Sequence, residues 1–210
     1  MRKPDAGVVL ERLEARYGRK LHTELKHSSK TDLFVAVFLS PQCTDKQVNN
    51  VTDELFERFR SFKDYAECNT LTLMKMLSGI NYYRTKSNNL KKSAKIIIER
   101  FGGRIPRTIG ELTELPGVGR KVANVVLNEC FGINEGIAVD THCATVARRL
   151  QLSRHKDPGK IELDLMGEIP REKWGDTSNI FIALGRDTCK ARNRECGRCV
   201  LKDICPSSNA

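Results

Sequence analysis

The chain has 210 residues, of which 40% are hydrophobic and 30% charged, a length for one large domain or two small ones. Thirty-six Lys and Arg against 26 Asp and Glu give a net charge of +10, which favours a polyanionic partner, with a merely solubilising surface as the plainer alternative. No stretch approaches the roughly 20 apolar residues of a membrane helix, and the start, MRKPDAGVVLERLEARYG, alternates apolar and charged positions where a signal peptide has an unbroken apolar core. The expectation is a non-exported protein in a reducing compartment, where structural disulfides are disfavoured. A prokaryotic cytoplasm, nucleoid-associated, is the first expectation and a nucleus the second.

Helical spacing runs the length of the chain. Leu10, Leu13 and Tyr17 form a short apolar face closed by Gly18, and Leu33–Leu39 is a continuous apolar run that suits a buried core segment. Thr44 with Gln47 is a capping box, opening a helix with Val48, Val51, Leu55 and Phe59 on one side. Thr70 precedes a helix whose face is Leu71, Met74 and Leu77; Leu90, Ala94, Ile97 and Phe101 make the next, ended by Gly102-Gly103. Thr108 with Glu111 is a second capping box, for a helix of about two turns. Val122, Val125, Val126 and Cys130 follow, ended by Gly132. The last three faces are Cys143–Val146–Ala147–Leu150, then Ile161–Leu165–Met166 after Pro158, then Trp174–Thr177–Phe181–Leu184. With no strand pattern and no repeat, about ten helices predict an all-α protein. Soft boundaries fall at Gly132–Gly136 and Ser153–Gly159.

The most informative stretch is TIGELTELPGVGRKVANVVLNECFG, residues 108–132. It reads helix, LPGVG, helix. Pro116 ends the first helix; Gly117 and Gly119 are expected to permit positive φ and close approach of another backbone. The second helix starts near Arg120, so its first N–H groups and its dipole suit a phosphate oxygen. Arg120-Lys121 at that end is disfavoured by the dipole, which points to function over stability; an αα corner with two stray cations is the bland reading. Lys121 has two positive influences on it, both lowering its pKa, and a free amine can form a Schiff base. In IAVDTHCATVARRL, residues 137–150, Asp140 precedes a helix. It is a good N-cap, and equally a carboxylate held rigidly at a cleft wall. His142 either meets phosphate or completes the turn.

Near the end stands CKARNRECGRCVLKDIC, Cys189 to Cys205. Cys189, Cys196, Cys199 and Cys205 can serve zinc or an iron–sulfur cluster. One close pair with single outlying cysteines suits the four corners of a cubane better than the two close pairs usual for zinc, although spacing alone leaves both open. Lys190, Arg192 and Arg194 alternate along the loop between the first two cysteines and are positioned to meet phosphates.

In combination, LPGVGRKVANVVLN, then VDTH, then C-x6-C-x2-C-x5-C resemble the endonuclease III family, over most of the chain from LSPQCTDKQVN (Leu39–Asn49) to Cys205. The resemblance implies a DNA glycosylase with AP-lyase activity, acting on oxidised pyrimidines or abasic sites in double-stranded DNA, monomeric and without a membrane partner. It implies two helical domains flanking a DNA cleft: residues 24–134 as a six-helix barrel carrying the helix–hairpin–helix at 108–132, and residues 1–23 with 135–210 carrying a [4Fe–4S] cluster. Lys121 matches the family's nucleophile and Asp140 its catalytic aspartate. Gln42 matches the side chain that fills the gap left by a flipped nucleotide. The hairpin residues Leu115, Gly117, Gly119 and Arg120 match its DNA contacts. With the family in view, the four cysteines are expected to hold [4Fe–4S] rather than zinc. INYYRTK (Ile80–Lys86) matches the second wedge loop less well, because Asn81-Tyr82 stands where the family often has Gly-Leu; Tyr82 is expected to stack on the opposite base. A mismatch glycosylase removing thymine or adenine is the enzymatic alternative, and a non-catalytic iron–sulfur DNA-binding protein the alternative from another class.

Overall fold

The computed structural model describes residues 2–19 and 21–209. Among them every regular element is helical, and no helix is long and apolar enough to cross a membrane. The α-helices are α1 (Ala6–Tyr17), α2 (Lys30–Leu39), α3 (Asp45–Arg58), α4 (Phe62–Glu67), α5 (Thr70–Met76), α6 (Tyr83–Phe101), α7 (Ile109–Thr113), α8 (Arg120–Phe131), α9 (Thr141–Arg149), α10 (Pro158–Glu168) and α11 (Trp174–Asp187). Short 3-10 turns occupy Arg171–Lys173 and Cys196–Arg198. The helices form two compact units, one spanning Glu24–Gly132 and the other combining Met1–Thr23 with Ile133–Ala210.

In the 24–132 unit, α2 is the central strut. All of Leu33–Leu39 is buried, and each large apolar side chain there contributes roughly 1.5–3 kcal/mol of burial. Phe34 meets the edge of Phe62 at 5.5 Å between ring centroids. Helix α2 packs on α3, α6 and α8, while α4 and α5 pack on α6. In the other unit, α1 packs on α11, and α9 lies against α10 and α11. The shared core joins Val9, Leu10 and Leu13 to Val146, Leu150, Ile161, Leu165, Phe181 and Leu184. The buried Glu14 carboxylate pairs with Lys173 and, at 3.0 Å, with Arg19.

Local chemistry explains most helix starts. Asp5, Ser29, Thr44, Ser61, Asn69, Thr108, Asp140 and Asp157 each accept a backbone N–H at a helix N-terminus, a contribution of about 1 kcal/mol apiece. The Thr44–Gln47 box is complete. Thr108–Glu111 is half a box: Glu111 N–H donates to Thr108 Oγ1, but the Glu111 carboxylate accepts from the Thr108 hydroxyl. That helix spans only Ile109–Thr113, shorter than the expected two turns, because the LPGVG turn begins directly after it. Helix α4 was absent from the apolar pattern, being six residues long; its signal is the Ser61–Asp64 capping box. Helix α5 also corrects the sequence reading. Its cap is Asn69, not Thr70, and its buried face is Leu73 and Leu77, while Leu71 is 74% exposed. Spacing of three and four allowed either stripe, and contact with the neighbouring helices selects the one that is buried.

Candidate active site and nucleic-acid interface

The hairpin connects α7 to α8 through two consecutive tight turns, with Leu115 N–H donating to Leu112 O at 3.1 Å and Val118 N–H to Leu115 O at 3.0 Å. Ser93 of α6 donates its hydroxyl to Pro116 O at 2.9 Å, tying the turn to the unit. Leu115 is 1% exposed and Val118 5%. The Leu115 side chain is therefore a packing group of the hairpin.

The two glycines differ. Gly117 has φ +88°, and an added Cβ would lie 3.0 Å from the Phe38 ring and 3.2 Å from Asn89 Cβ. Gly119 has φ −90°, which any residue adopts, so the expected positive φ is absent there. An added Cβ at Gly119 would meet nothing within 4 Å. Gly119 caps α8 without a side-chain hydrogen bond, and no acidic residue lies in the first turn. Exposed Arg120 and half-buried Lys121 occupy that turn. The outcome is a helix N-terminus whose field and side chains are all positive, a fit for an anion.

Gln42 and Tyr82 belong to the same unit as this hairpin, and both are exposed at left-handed backbone positions, φ 59° and 58°. The chain leaves α2 in a four-residue turn closed by Cys43 N–H to Ser40 O at 2.9 Å. Pro41 is second in that turn and Gln42 third, the place of a type II turn that favours glycine. A residue with Cβ there costs about 1–2 kcal/mol. Tyr82 begins α6 without a side-chain cap and is 64% exposed. Asn81 Nδ2 donates to Gln42 O at 2.6 Å, so the two exposed side chains sit on joined loops.

On the other unit, Ile137, Ala138 and Val139 are buried, and Ser178 of α11 donates to Ala138 O at 2.6 Å. This segment delivers Asp140, whose Oδ1 accepts from Cys143 N–H at 2.7 Å. His142 packs against α11 at Gly185, where an added Cβ would come within 2.8 Å of its Nδ1. The ring thus rests on backbone that only glycine leaves open.

The four C-terminal cysteines are half-buried and line one small cavity with Arg149 and Arg194. The Cys199 thiol is held above its ordinary value by burial and then by the proximity of Cys189, Cys205 and Cys196. Four sulfurs that repel one another as thiolates fit a cationic metal group that ligates them together. No group of three or more His, Cys, Asp or Glu among the described residues is spaced for a single metal ion. Arg149 supports the site from α9. Its guanidinium donates to Cys189 O at 2.7 Å, Lys190 O at 2.9 Å, Ala191 O at 3.2 Å and Cys189 Sγ at 3.1 Å. Of the loop's basic residues, Lys190 pairs with Glu195 at 2.5 Å and Arg194 donates to Ser207 O at 2.8 Å. Arg192 is exposed and makes no such contact among the described residues. Spacing gave no hint of Arg149 or Asn81. Lys86 was legible in principle, because it lies in register with Leu90, Ala94 and Ile97 on the apolar face of α6.

An all-helical fold with a glycine hairpin that presents an uncapped, basic helix N-terminus defines the helix–hairpin–helix class of DNA-repair proteins. Residues 35–171 match the family model described as HhH-GPD superfamily base excision DNA repair protein. The chain is 44% identical over 183 residues to endonuclease III of Bacillus subtilis (strain 168), covering 87% of this chain and 83% of that one. It superposes on a trapped endonuclease III–DNA covalent intermediate, an estranged-adenine complex, with a TM-score of 0.92 and 38% identity over 99% of this chain and 97% of the other. A thermostable thymine-DNA glycosylase shares the fold, with a TM-score of 0.81 at 20% identity over 96% and 95% of the two chains. The chain belongs to the endonuclease III family of the HhH-GPD superfamily, and it is a base-excision DNA glycosylase and AP lyase with DNA as its partner.

Proposed function

We propose that this enzyme removes oxidised pyrimidines from duplex DNA, with Lys121 as nucleophile and Asp140 as the carboxylate that serves it. The observation that carries the reading is Lys121 in the first turn of α8, a helix start with no side-chain cap and no acidic residue in that turn. The damaged nucleotide is flipped out of the stack. The Lys121 amine attacks C1′ of its sugar as the C1′–N bond to the base breaks; the base departs with that electron pair and is protonated. Counted from its ammonium form, the amine gives up two of its protons in all; as the C1′=N bond of the protonated Schiff base forms, the C1′–O4′ bond breaks and O4′ takes a proton, opening the sugar. Loss of a C2′ proton then expels the 3′ phosphate by β-elimination, cutting the strand. Asp140 takes a proton from Lys121 or stabilises positive charge developing on the sugar. Its position as an N-cap supports this, since the bond to Cys143 N–H fixes one oxygen and so the carboxylate's orientation.

Gln42 fills the gap left by the flipped nucleotide and Tyr82 stacks on the opposite base, offsetting part of an unstacking cost of a few kcal/mol. Gly117, Gly119 and Arg120 grip the backbone at α8, and His142 and Arg192 meet phosphate from the other unit. Lys190 and Arg194 hold the shape of the loop, as their internal partners imply. Cys189, Cys196, Cys199 and Cys205 hold a [4Fe–4S] cluster whose contribution is to pin that loop. The enzyme acts as a monomer in a cytoplasmic, nucleoid-associated setting. Removal of mismatched thymine has only a fold-level likeness behind it.

Borohydride trapping on an abasic-site duplex tests the central assignment. Wild type is expected to be captured covalently and Lys121→Ala not. Capture of the variant at wild-type yield would sink the assignment of Lys121.

A further inference from the structure

The turn that carries Gln42 is held by side chains from one segment, Asn81 to Lys86, that the reaction above does not use. Lys86 is buried at 9% exposure. Its ammonium donates to Leu39 O at 2.8 Å, Pro41 O at 2.7 Å and Cys43 Sγ at 3.2 Å, engaging the three donors an ammonium has. Asn81 Nδ2 donates to Gln42 O. Ser40 O, between these, accepts from Cys43 N–H. Every carbonyl from Leu39 to Gln42 is therefore fixed by a donor, and two of those donors are side chains reaching across from the start of α6. A cation is also favourable where the carbonyls of α2 end.

Such an arrangement exceeds what folding asks of an exposed turn. A positive φ at Gln42 is unfavourable for a residue with Cβ and persists only where its surroundings over-determine it. Asn81 is itself exposed, so its bond to Gln42 O buries little. What the bond does achieve is to couple the peptide of Gln42 to the residue immediately before Tyr82, making one rigid piece of the two loops whose side chains project to solvent. Lys86 gives that piece its buried root.

We propose that Asn81 and Lys86 are positioning residues for base extrusion, clamping Gln42 in its left-handed conformation so that its side chain enters the duplex without a conformational search. The proposal rests on the reading of Gln42 as the gap-filling side chain. Because a misplacement of about 1 Å can cost up to 100-fold, losing one of two clamps is expected to slow excision roughly tenfold.

The test is a double-mutant cycle in single-turnover excision from a duplex containing thymine glycol. Gln42→Ala and Asn81→Ala are each expected to slow base release. Asn81→Ala acts through Gln42, so the double variant is expected to be no slower than Gln42→Ala alone. Asn81→Asp keeps the shape but presents an oxygen where the donor was, and is expected to match Asn81→Ala. Losses that multiply in the double variant, or a wild-type rate for Asn81→Asp, would overturn the clamp while leaving Gln42's own role standing. A wild-type rate for Gln42→Ala overturns the gap-filling reading and the clamp with it. An aminopurine fluorophore opposite the lesion supplies a readout that stability does not move. Its fluorescence on binding is expected to shift equally for Gln42→Ala and Asn81→Ala; a shift for Gln42→Ala alone counts against the clamp.

Discussion

Replacing Gly117 with Ala separates the hairpin's structural glycine from its other one. The backbone at Gly117 has φ +88°, which costs a residue with Cβ about 1–2 kcal/mol. The added methyl would sit 3.0 Å from the Phe38 ring, 3.1 Å from Asn89 Nδ2 and 3.2 Å from Asn89 Cβ. Phe38 is 2% exposed on the buried strut α2, and Asn89 Cβ is fixed to the α6 backbone, so neither neighbour swings aside; overpacking of this kind costs about 1–3 kcal/mol. Reduced freedom of the unfolded chain returns about 0.4–1 kcal/mol. The net destabilisation is about 2–3 kcal/mol, which at roughly 2–4 °C per kcal/mol for a chain of this length lowers the melting temperature by about 5–10 °C. Gly119→Ala is the control: its φ is ordinary and the space around it is open, so melting is expected to change by no more than about 2 °C. Circular dichroism at 222 nm reads the melts, and fluorescence anisotropy on duplex DNA reads binding, which Gly119→Ala is expected to weaken. A Gly117→Ala protein that melts with wild type refutes the steric argument.

Asp140→Asn keeps an acceptor for Cys143 N–H, so melting and DNA binding are expected to persist while base release is lost; normal turnover would reduce Asp140 to its cap. Arg192→Ala is expected to flatten the log–log dependence of DNA affinity on salt by about one, and an unchanged slope would remove the loop from the phosphate interface. The purified protein is expected to show a broad absorbance near 400 nm that bleaches when the cluster is lost; zinc in place of the cluster gives no such band. Burial pushes the Cys130 thiol up to about 12, and raises the Cys143 thiol further. Both stay protonated well above neutral pH, and mass spectrometry after iodoacetamide at pH 8 is expected to find them unmodified in the native protein. Alkylation of either at a rate like that of an exposed thiol would contradict the packing around it.

The sequence determined the helical class, because apolar spacing and helix caps are local properties that no distant contact has to supply. The Thr44–Gln47 box, the Gly102 and Gly132 stops and the LPGVG hairpin could all be read one segment at a time, and the ordered motifs carried the family with them. Where two local solutions were equally good, local rules could not choose: Leu71 and Leu73 offer alternative stripes on α5, and packing buries the second. Helix α4 was too short to display a period, although Ser61 and Asp64 announced it. Gly117 and Gly119 look alike as letters, and only the nearness of Phe38 and Asn89 makes one of them obligatory.

Tertiary structure also decided which charges have partners within the fold. Lys190, Arg192 and Arg194 read as one basic run, yet Glu195 and the Ser207 carbonyl engage two of them. Arg149 reaches the Cys189 loop, and Lys86 with Asn81 reaches the Gln42 turn, because folding sets side chains from separate helices against the same backbone carbonyls. A hydrogen bond depends on where its acceptor lies in space, and sequence spacing carries no record of that beyond a turn or two. The chemistry proposed for Lys121 and Asp140 was therefore legible as residue type and motif, whereas the side-chain contacts to the Gln42 turn and the cysteine loop emerged only from the folded chain.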